Sequence, residues 1–222
     1  MSQRLSDYRV FWREFRGNFH ATGAVMPSGR LLARALARFV GQSARPQRVL
    51  EVGPGTGAVT RAIVAALRPD DRLDLVELNA EFVRALERRF EADQPFCDVA
   101  EQSRVLHRPV ESLEDEAPYD LIVSGLPLNN FSVPEVENIL RVFRRLLRDG
   151  GHLSFFEYIA IRSARAMVSR GAERARLRGI GQALARLLEP HEVRREWVWP
   201  NVPPAWVHHV RLPALEETVA GE

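Results

Sequence analysis

The 222-residue sequence predicts an α/β fold: a mostly parallel seven-stranded sheet with helices on both faces and an antiparallel hairpin at one edge. Three observations predict it. Short apolar runs alternate with segments of helical periodicity, the pattern of strands joined by right-handed helical crossovers. A glycine-rich turn stands between the first strand and the helix after it. The chain closes on two apolar runs with no helix between them, which implies a hairpin.

The elements follow in order. Residues 3–19 have helical periodicity, and Ser28 is placed to cap a second helix reaching about Phe39. Arg48-Val-Leu-Glu-Val52 reads as a buried strand, followed by the glycine loop and a helix over about 58–67. Arg72 to Glu77 is a strand, and residues 80–91 form a helix with Phe82, Val83, Leu86 and Phe90 on one side. Val105-Leu106 lies in a short strand and Tyr119 to Ser124 in a strong one. Pro134 opens a helix to about Arg148, with Gly150-Gly151 as its stop. His152 to Ile159 is a strand; residues 162–188 are helical, with an interruption expected near Gly179 and Gly181. Strands near 192–199 and 206–212 make the closing hairpin.

Composition bounds the function. Hydrophobic residues are 45% of the chain, enough for one domain's core and too many for a disordered chain. The 31 basic residues, all arginine, nearly balance 29 acids, so a net charge of +2 names no partner. The distribution is uneven: residues 81–120 hold 11 acids against 5 arginines, whereas 159–188 hold 7 arginines against Glu173 alone. The single cysteine, Cys97, excludes an internal disulfide and a zinc cluster built from thiolates, and no metal is expected. No apolar run approaches the roughly 20 residues of a spanning helix. Arg4, Asp7, Arg9, Arg13 and Glu14 stand where a signal peptide needs an apolar stretch, so a cytoplasmic protein, soluble or peripheral, is expected.

Glu51-Val-Gly-Pro-Gly-Thr-Gly57 ends the first strand and opens a helix. Glycines at 53, 55 and 57 let the backbone turn sharply and approach a ligand. Glu77 ends the next strand, 20 positions past Gly57, where a carboxylate accepts the hydroxyls of a ribose. This spacing fits a nicotinamide dinucleotide or S-adenosylmethionine; an ordinary strand-to-helix turn beside a solvated Glu77 is the plainer alternative.

The wording of the motif separates the two nucleotides. Glu51-x-Gly53-x-Gly55-x-Gly57 resembles motif I of the class I S-adenosylmethionine-dependent methyltransferases, whose fold is Rossmann-like. Tyr119-Asp-Leu-Ile-Val-Ser124 is similar to their fourth-strand motif, and Leu146-Leu-Arg-Asp-Gly-Gly-His-Leu153 to the passage into their fifth strand. The resemblance covers about 48–158. It implies S-adenosylmethionine as cofactor, S-adenosylhomocysteine as product, and a binding set of Ser28, Glu51, Gly53, Gly55, Gly57, Glu77, Leu78, Asn79, Val110, Glu111, Ser124 and Gly125. One departure stands out. These enzymes often hold the adenine amino group with an Asp after the third strand. Val105-Leu-His-Arg-Pro-Val-Glu-Ser-Leu113 has none, so Glu111 or the Val110 backbone is the expected substitute.

The acceptor loop is Ser124-Gly-Leu-Pro-Leu-Asn-Asn130. Amino-directed methyltransferases acting on nucleic acid or protein glutamine carry Asn/Asp-Pro-Pro-Tyr or Asn-Leu-Pro-Tyr there. This chain keeps Leu-Pro but has Gly125 for the Asn and Leu128 for the Tyr, which removes the ring that stacks on a flat heterocycle and favours an aliphatic amine. With Gly23-Ala-Val-Met-Pro-Ser28, Phe156-Glu-Tyr158 and Asn201-Val-Pro-Pro-Ala205, the pattern over about 10–212 resembles the bacterial phospholipid N-methyltransferases. That resemblance implies methylation of phosphatidylethanolamine towards phosphatidylcholine by a peripheral enzyme on the inner face of the cell membrane. It implies an N-terminal membrane helix and cofactor lid over 1–27, then one class I domain over 28–222.

The N-terminal helix reads the same way on its own. Leu5, Tyr8, Trp12, Phe15 and Phe19 repeat at three and four, flanked by Arg4, Arg9, Arg13 and Arg16, as in an interfacial helix. Each buried side chain of the Phe or Leu class contributes roughly 1.5–3 kcal/mol, and each arginine about 1 kcal/mol at an anionic surface. Packing of the same stripe on the domain is the alternative. In the basic insertion, Arg162, Arg165, Arg170, Arg174, Arg176 and Arg178 are expected to face anionic lipid or RNA, or plain solvent.

No dedicated base is evident; an amine next to a sulfonium at a dry interface loses its proton to water. Tyr158 and Arg162, four apart near the end of the fifth strand, are expected to hold the lipid phosphate. Asn129, Asn130 and the Leu126 carbonyl are expected to orient the amine. A phospholipid and a membrane surface are the expected partners, without nucleic acid; the oligomeric state is left open. Two rivals remain: an RNA adenine N6-dimethyltransferase, which shares Leu-Pro, and a binding module without turnover.

Overall fold

The computed structural model describes residues 27–113, 118–158, 171–199 and 204–213. The expected helix over 3–19 and Gly23 to Met26 lie outside them, as do Arg162, Arg165, Arg170 and Asn201 to Pro203. The elements are α1 (Pro27–Leu36), β1 (Arg48–Val52), α2 (Thr60–Val64), β2 (Arg72–Glu77), α3 (Ala80–Ala92), β3 (Ser103–His107), β4 (Tyr119–Ser124), α4 (Val133–Leu146), β5 (Leu147–Tyr158), α5 (Gly171–His191), β6 (Glu192–Val198) and β7 (Ala205–Leu212).

The seven strands form one sheet in the order β3-β2-β1-β4-β5-β7-β6. Pairs from β3 to β5 are parallel, and β7 runs antiparallel to both β5 and β6. The expected edge hairpin is therefore present. The chain leaves β1 towards β2 and β3, then returns to place β4 on the other side of β1. At that reversal the loops after β1 and β4 diverge and open a crevice at the carboxyl ends of the strands. β1, β2 and β4 are buried on both faces, so their apolar residues do not simply alternate with polar ones, and Glu51, Asp74 and Glu77 within them are themselves buried. Tyr119, Phe143 and Phe155 fill the core on one face; Leu36, Ile63, Leu73, Leu86 and Phe96 fill it on the other.

Several boundaries differ from expectation. The chain is already helical at Pro27, the first described residue, so Ser28 lies inside α1 and not ahead of it. The regular part of α2 is shorter than 58–67, its flanks being single turns closed by Gly57 N–H to Pro54 O and Leu67 N–H to Ile63 O. Gly150-Gly151 does not stop α4, which ends at Leu146. β5 begins at Leu147, and its register against β4 shifts between Tyr119 and Leu121, leaving Gly150 at φ +68° in the irregular stretch. α5 runs unbroken through Gly179 and Gly181. Gly179 serves packing: a Cβ there would lie 2.6 Å from a methyl of Val133, so its absence lets α5 approach the start of α4. α4 itself starts on a capping box, with Ser132 N–H donating to Glu135 at 2.7 Å.

Candidate functional site

The two loops at the crevice are each tied by backbone to a neighbouring strand end and pack closely on one another. Gly53 N–H donates to Val76 O at 3.1 Å, and Gly125 N–H donates to Val52 O at 2.8 Å. A Cβ on Gly125 would sit 2.6 Å from the Gly53 carbonyl oxygen, and one on Gly53 would sit 2.7 Å from Leu126 Cδ2. An Asn at the Gly125 position, where amino-directed enzymes acting on nucleic acid or protein glutamine carry one, has no room on this backbone. Gly53 and Gly55 have φ of +70° and +57°, which side chains resist. At Gly55 a Cβ would meet nothing within 4 Å, so this turn looks onto open space.

Beside that turn lies a small open cleft whose lining includes Gly53, Glu77, Leu78, Val110, Glu111 and Leu126. These six are residues that the sequence proposed; Val52, Val76 and Arg108, which also line the cleft, are not. Glu77 is almost fully enclosed. Its Oε2 accepts from Gly55 N–H at 3.1 Å, and its Oε1 accepts from Leu78 N–H and Asn79 N–H, each at 2.8 Å. Burial still raises its pKa, against the pull of these backbone donors. A carboxylate has about four acceptor sites, so a ribose hydroxyl arriving here takes the remaining one or displaces a backbone donor. An enclosed acid, a glycine turn over empty space and a partly apolar cleft fit a nucleoside-bearing cofactor.

Val110 opens the single helical turn Val110–Leu113 and Glu111 follows it, both on the cleft where the missing third-strand Asp was expected to act. Arg108 also lines the cleft and escaped the sequence reading; its position just before this turn was the available signal. Asn79 uses its side chain elsewhere, accepting from Glu81 N–H at 2.8 Å as the cap of α3, so only its main chain serves the Glu77 carboxylate.

Glu51 does not line the cleft. It is fully buried, accepts from Thr60 Oγ at 2.7 Å through Oε2, and has no hydrogen-bond partner for Oε1. Burial, offset in part by Thr60 and reinforced by the charge of Glu77, pushes its pKa up to about 8. Gly57 is likewise a packing position, its absent Cβ lying 3.1 Å from Leu86. Ser124 is buried and turns its hydroxyl to Leu126 N–H at 3.3 Å.

On the acceptor side, Leu128–Asn130 forms one helical turn, with Leu128 and Asn129 buried. Leu128 packs in the core with Phe131, so neither offers a stacking face. Asn129 is only 5% exposed, yet its side-chain Oδ1 has no hydrogen-bond partner. Tyr158 ends β5, edge-on to Phe156 at 4.9 Å between ring centroids, and burial raises its pKa, which keeps the phenol protonated. Arg176 corrects an expectation. It does not face lipid or RNA but turns inward, donating to the carbonyls of Asn129 at 3.0 Å and of Phe131, and pairing with Glu173 at 2.7 Å. Arg174 and Arg178 on the same helix are exposed.

A family profile described as a methyltransferase domain matches residues 50–153. The chain is 30% identical over 148 residues to the ornithine lipid N-methyltransferase of Singulisphaera acidiphila, covering 66% of this chain and 76% of that protein. Ribosomal RNA small subunit methyltransferase A of Parasynechococcus marenigrum is 38% identical over 82 residues, but these are 37% of this chain and 26% of that protein. Among solved structures, the N-methyltransferase NodS of Bradyrhizobium japonicum, in complex with S-adenosyl-L-homocysteine, superposes with a TM-score of 0.63 at 19% identity over 93% of this chain and 98% of its own.

Proposed function

We propose that this chain, which belongs to the class I S-adenosylmethionine-dependent methyltransferases, methylates the headgroup amine of a membrane lipid, with phosphatidylethanolamine and its mono- and dimethyl forms as substrates. The observation that carries this reading is Asn129: a buried amide oxygen without a partner, on the acceptor loop, with no aromatic ring beside it at Leu128. An amide oxygen accepts an N–H from an aliphatic amine, and a flat base loses its stacking partner. The similarity to an enzyme acting on ornithine lipid supports a lipid amine as acceptor.

S-adenosylmethionine, when bound, supplies an electrophilic methyl on a positively charged sulfur. Gly53 and Gly55 bring backbone close to it, and Glu77 holds its ribose. Val110 and Glu111 line the adenine side. A neutral primary or monomethyl amine would donate an N–H to Asn129 Oδ1 or to the Leu126 carbonyl, its ammonium form having first lost a proton to water; the dimethyl form keeps no N–H once deprotonated and would be placed by packing alone. Orientation and exclusion of water are what the protein contributes. Tyr158, kept protonated, and Arg162 bind the headgroup phosphate.

The name of the lipid relative favours a second reading, in which the acceptor is the amine of an ornithine lipid. That lipid has no phosphate, so the roles of Tyr158 and Arg162 separate the two. The test is incubation with labelled S-adenosylmethionine and vesicles of phosphatidylethanolamine, vesicles of ornithine lipid, or ribosomal RNA. Label in phosphatidylethanolamine that falls in Arg162→Ala supports the first reading. Label in ornithine lipid alone, unaffected by Arg162→Ala, supports the second. Label in RNA alone overturns both.

A further inference from the structure

Three of the four tryptophans converge on the edge hairpin. Trp197 and Trp199 meet edge-on at 5.2 Å, Trp197 and Trp206 lie 5.5 Å apart, and the Arg195 guanidinium stands 4.9 Å from the centre of the Trp206 ring. Trp197 is 55% exposed, Trp199 66% and Val193 52%. Cross-strand pairing puts Arg195 opposite His208 and Trp197 opposite Trp206, on one face of the hairpin, and Trp199 follows Trp197 two residues on; the register irregularity between Glu192 and Arg194 breaks the alternation before Val193. The opposite face is occupied: Glu196 pairs with Arg38, two residues past α1, and Val198 is buried.

The place of this cluster matters. Trp206 pairs with Glu157, and Ala205 with Tyr158. The rings therefore stand at the carboxyl end of β5, the end of the sheet to which the glycine loop and the acceptor loop project. The nearby acids are engaged: Glu192 with His208 at 2.6 Å, Glu196 with Arg38 and Arg194, and Glu157 mostly covered, 3.9 Å from His208. From Pro27 to Gln47 the chain carries Arg30, Arg34, Arg38 and Arg45 and no acid, and α1 packs against the hairpin.

We infer that the Trp197, Trp199 and Trp206 cluster is a docking patch that seats this edge of the sheet in the interfacial region of an anionic phospholipid bilayer. Its purpose rests on the lipid reading of the site. Indole rings combine an apolar body with a polar N–H and collect at the headgroup boundary of membranes. Arg195 and the arginines of α1 supply the charge that anionic headgroups attract. The same positive charge argues against a second copy as occupant, since pairing two such edges sets arginines against arginines.

The test uses the full chain carrying Trp12→Phe, so that tryptophan emission comes from the hairpin. Vesicles of equal parts phosphatidylcholine and phosphatidylglycerol, brominated high on the acyl chains, should shift that emission to the blue and quench it. Adding Trp197→Ser and Trp199→Ser should lower partitioning on the order of tenfold or more, with far-ultraviolet dichroism and cofactor affinity unchanged. Methylation of bilayer lipid should show a raised KM at the same kcat, whereas a dispersed short-chain lipid should react as before. Quenching without any lipid methylation keeps the docking patch and sinks the substrate reading. Emission indifferent to brominated lipid, with partitioning unchanged by the serine variant, overturns the patch. So does a serine variant that turns a dimer into a monomer while binding vesicles as its parent does.

Discussion

Arg176 of α5 donates to the main-chain carbonyl of Asn129 at 3.0 Å, fastening the acceptor loop to a helix distant in sequence. The same guanidinium reaches the Phe131 carbonyl and is held in place by Glu173. Asn129 thus has its backbone anchored and its side-chain oxygen left for a ligand.

Arg176→Ala should therefore act on the acceptor and not on the cofactor. Hydrogen bonds from a charged donor contribute about 1.5–3 kcal/mol, so kcat/KM for the methyl acceptor should fall about tenfold to a hundredfold. Calorimetry should find S-adenosylmethionine binding nearly unchanged. Equal loss in both measurements would show that Arg176 supports the whole crevice.

Glu77→Ala should weaken S-adenosylmethionine by roughly 1–3 kcal/mol, the cost of leaving polar groups unpaired. Here the unpaired groups include Gly55 N–H, Leu78 N–H and Asn79 N–H. Unchanged affinity by calorimetry would remove Glu77 from the site.

Gly125→Ala should impair the cofactor loop from the acceptor side. Its Cβ would press on the Gly53 carbonyl oxygen, which is backbone and cannot swing away. Cofactor affinity should fall together with thermal stability, whereas Gly55→Ala meets open space and only a strained φ. A Gly125→Ala protein with wild-type affinity would mean that the two loops can part.

Much of this was legible in the sequence. β1, β2 and β4 are mostly apolar segments bounded by turn signals, and their ends coincide with the reading. Gly53, Glu77, Leu78, Val110, Glu111 and Leu126 were named from motif and spacing, and they meet on one cleft. What stayed hidden depends on contacts between distant segments. Gly179 looked like a helix breaker because its role is the approach of Val133. Arg176 looked like surface charge because its acceptors are backbone carbonyls, which leave no sequence pattern. The tryptophan cluster needed the Trp197–Trp206 pairing of β6 with β7; alternate spacing of Trp197 and Trp199 was its one local sign.

The buried Glu51 makes a prediction about pH. Its carboxyl sits at about 8 in the fold against an ordinary 4.5, chiefly because burial disfavours the charged form. The direction follows from linkage. Below 4.5 the acid is protonated folded and unfolded alike, and its contribution to stability is fully present. Between 4.5 and about 8 only the unfolded chain ionises, so stability is lost steadily as pH rises. Above about 8 both forms are ionised and the loss is complete. Glu77, whose pKa is also raised by burial, acts in the same direction. Asp74 opposes it: despite burial, Arg104 and Tyr119 hold its carboxylate below the ordinary range, so its contribution is present above that range and lost in acid. Glu51→Gln keeps the shape of the protonated acid and the acceptor for Thr60 but cannot ionise. Its melting temperature relative to the wild type should climb across pH 5 to 8 and level off beyond, with the crossing set by Glu51 and not by Asp74. Thermal melts of the two proteins across that range decide the matter. Parallel curves would mean that the folded protein accommodates the Glu51 charge, with a cation or water at the Oε1 that has no partner here.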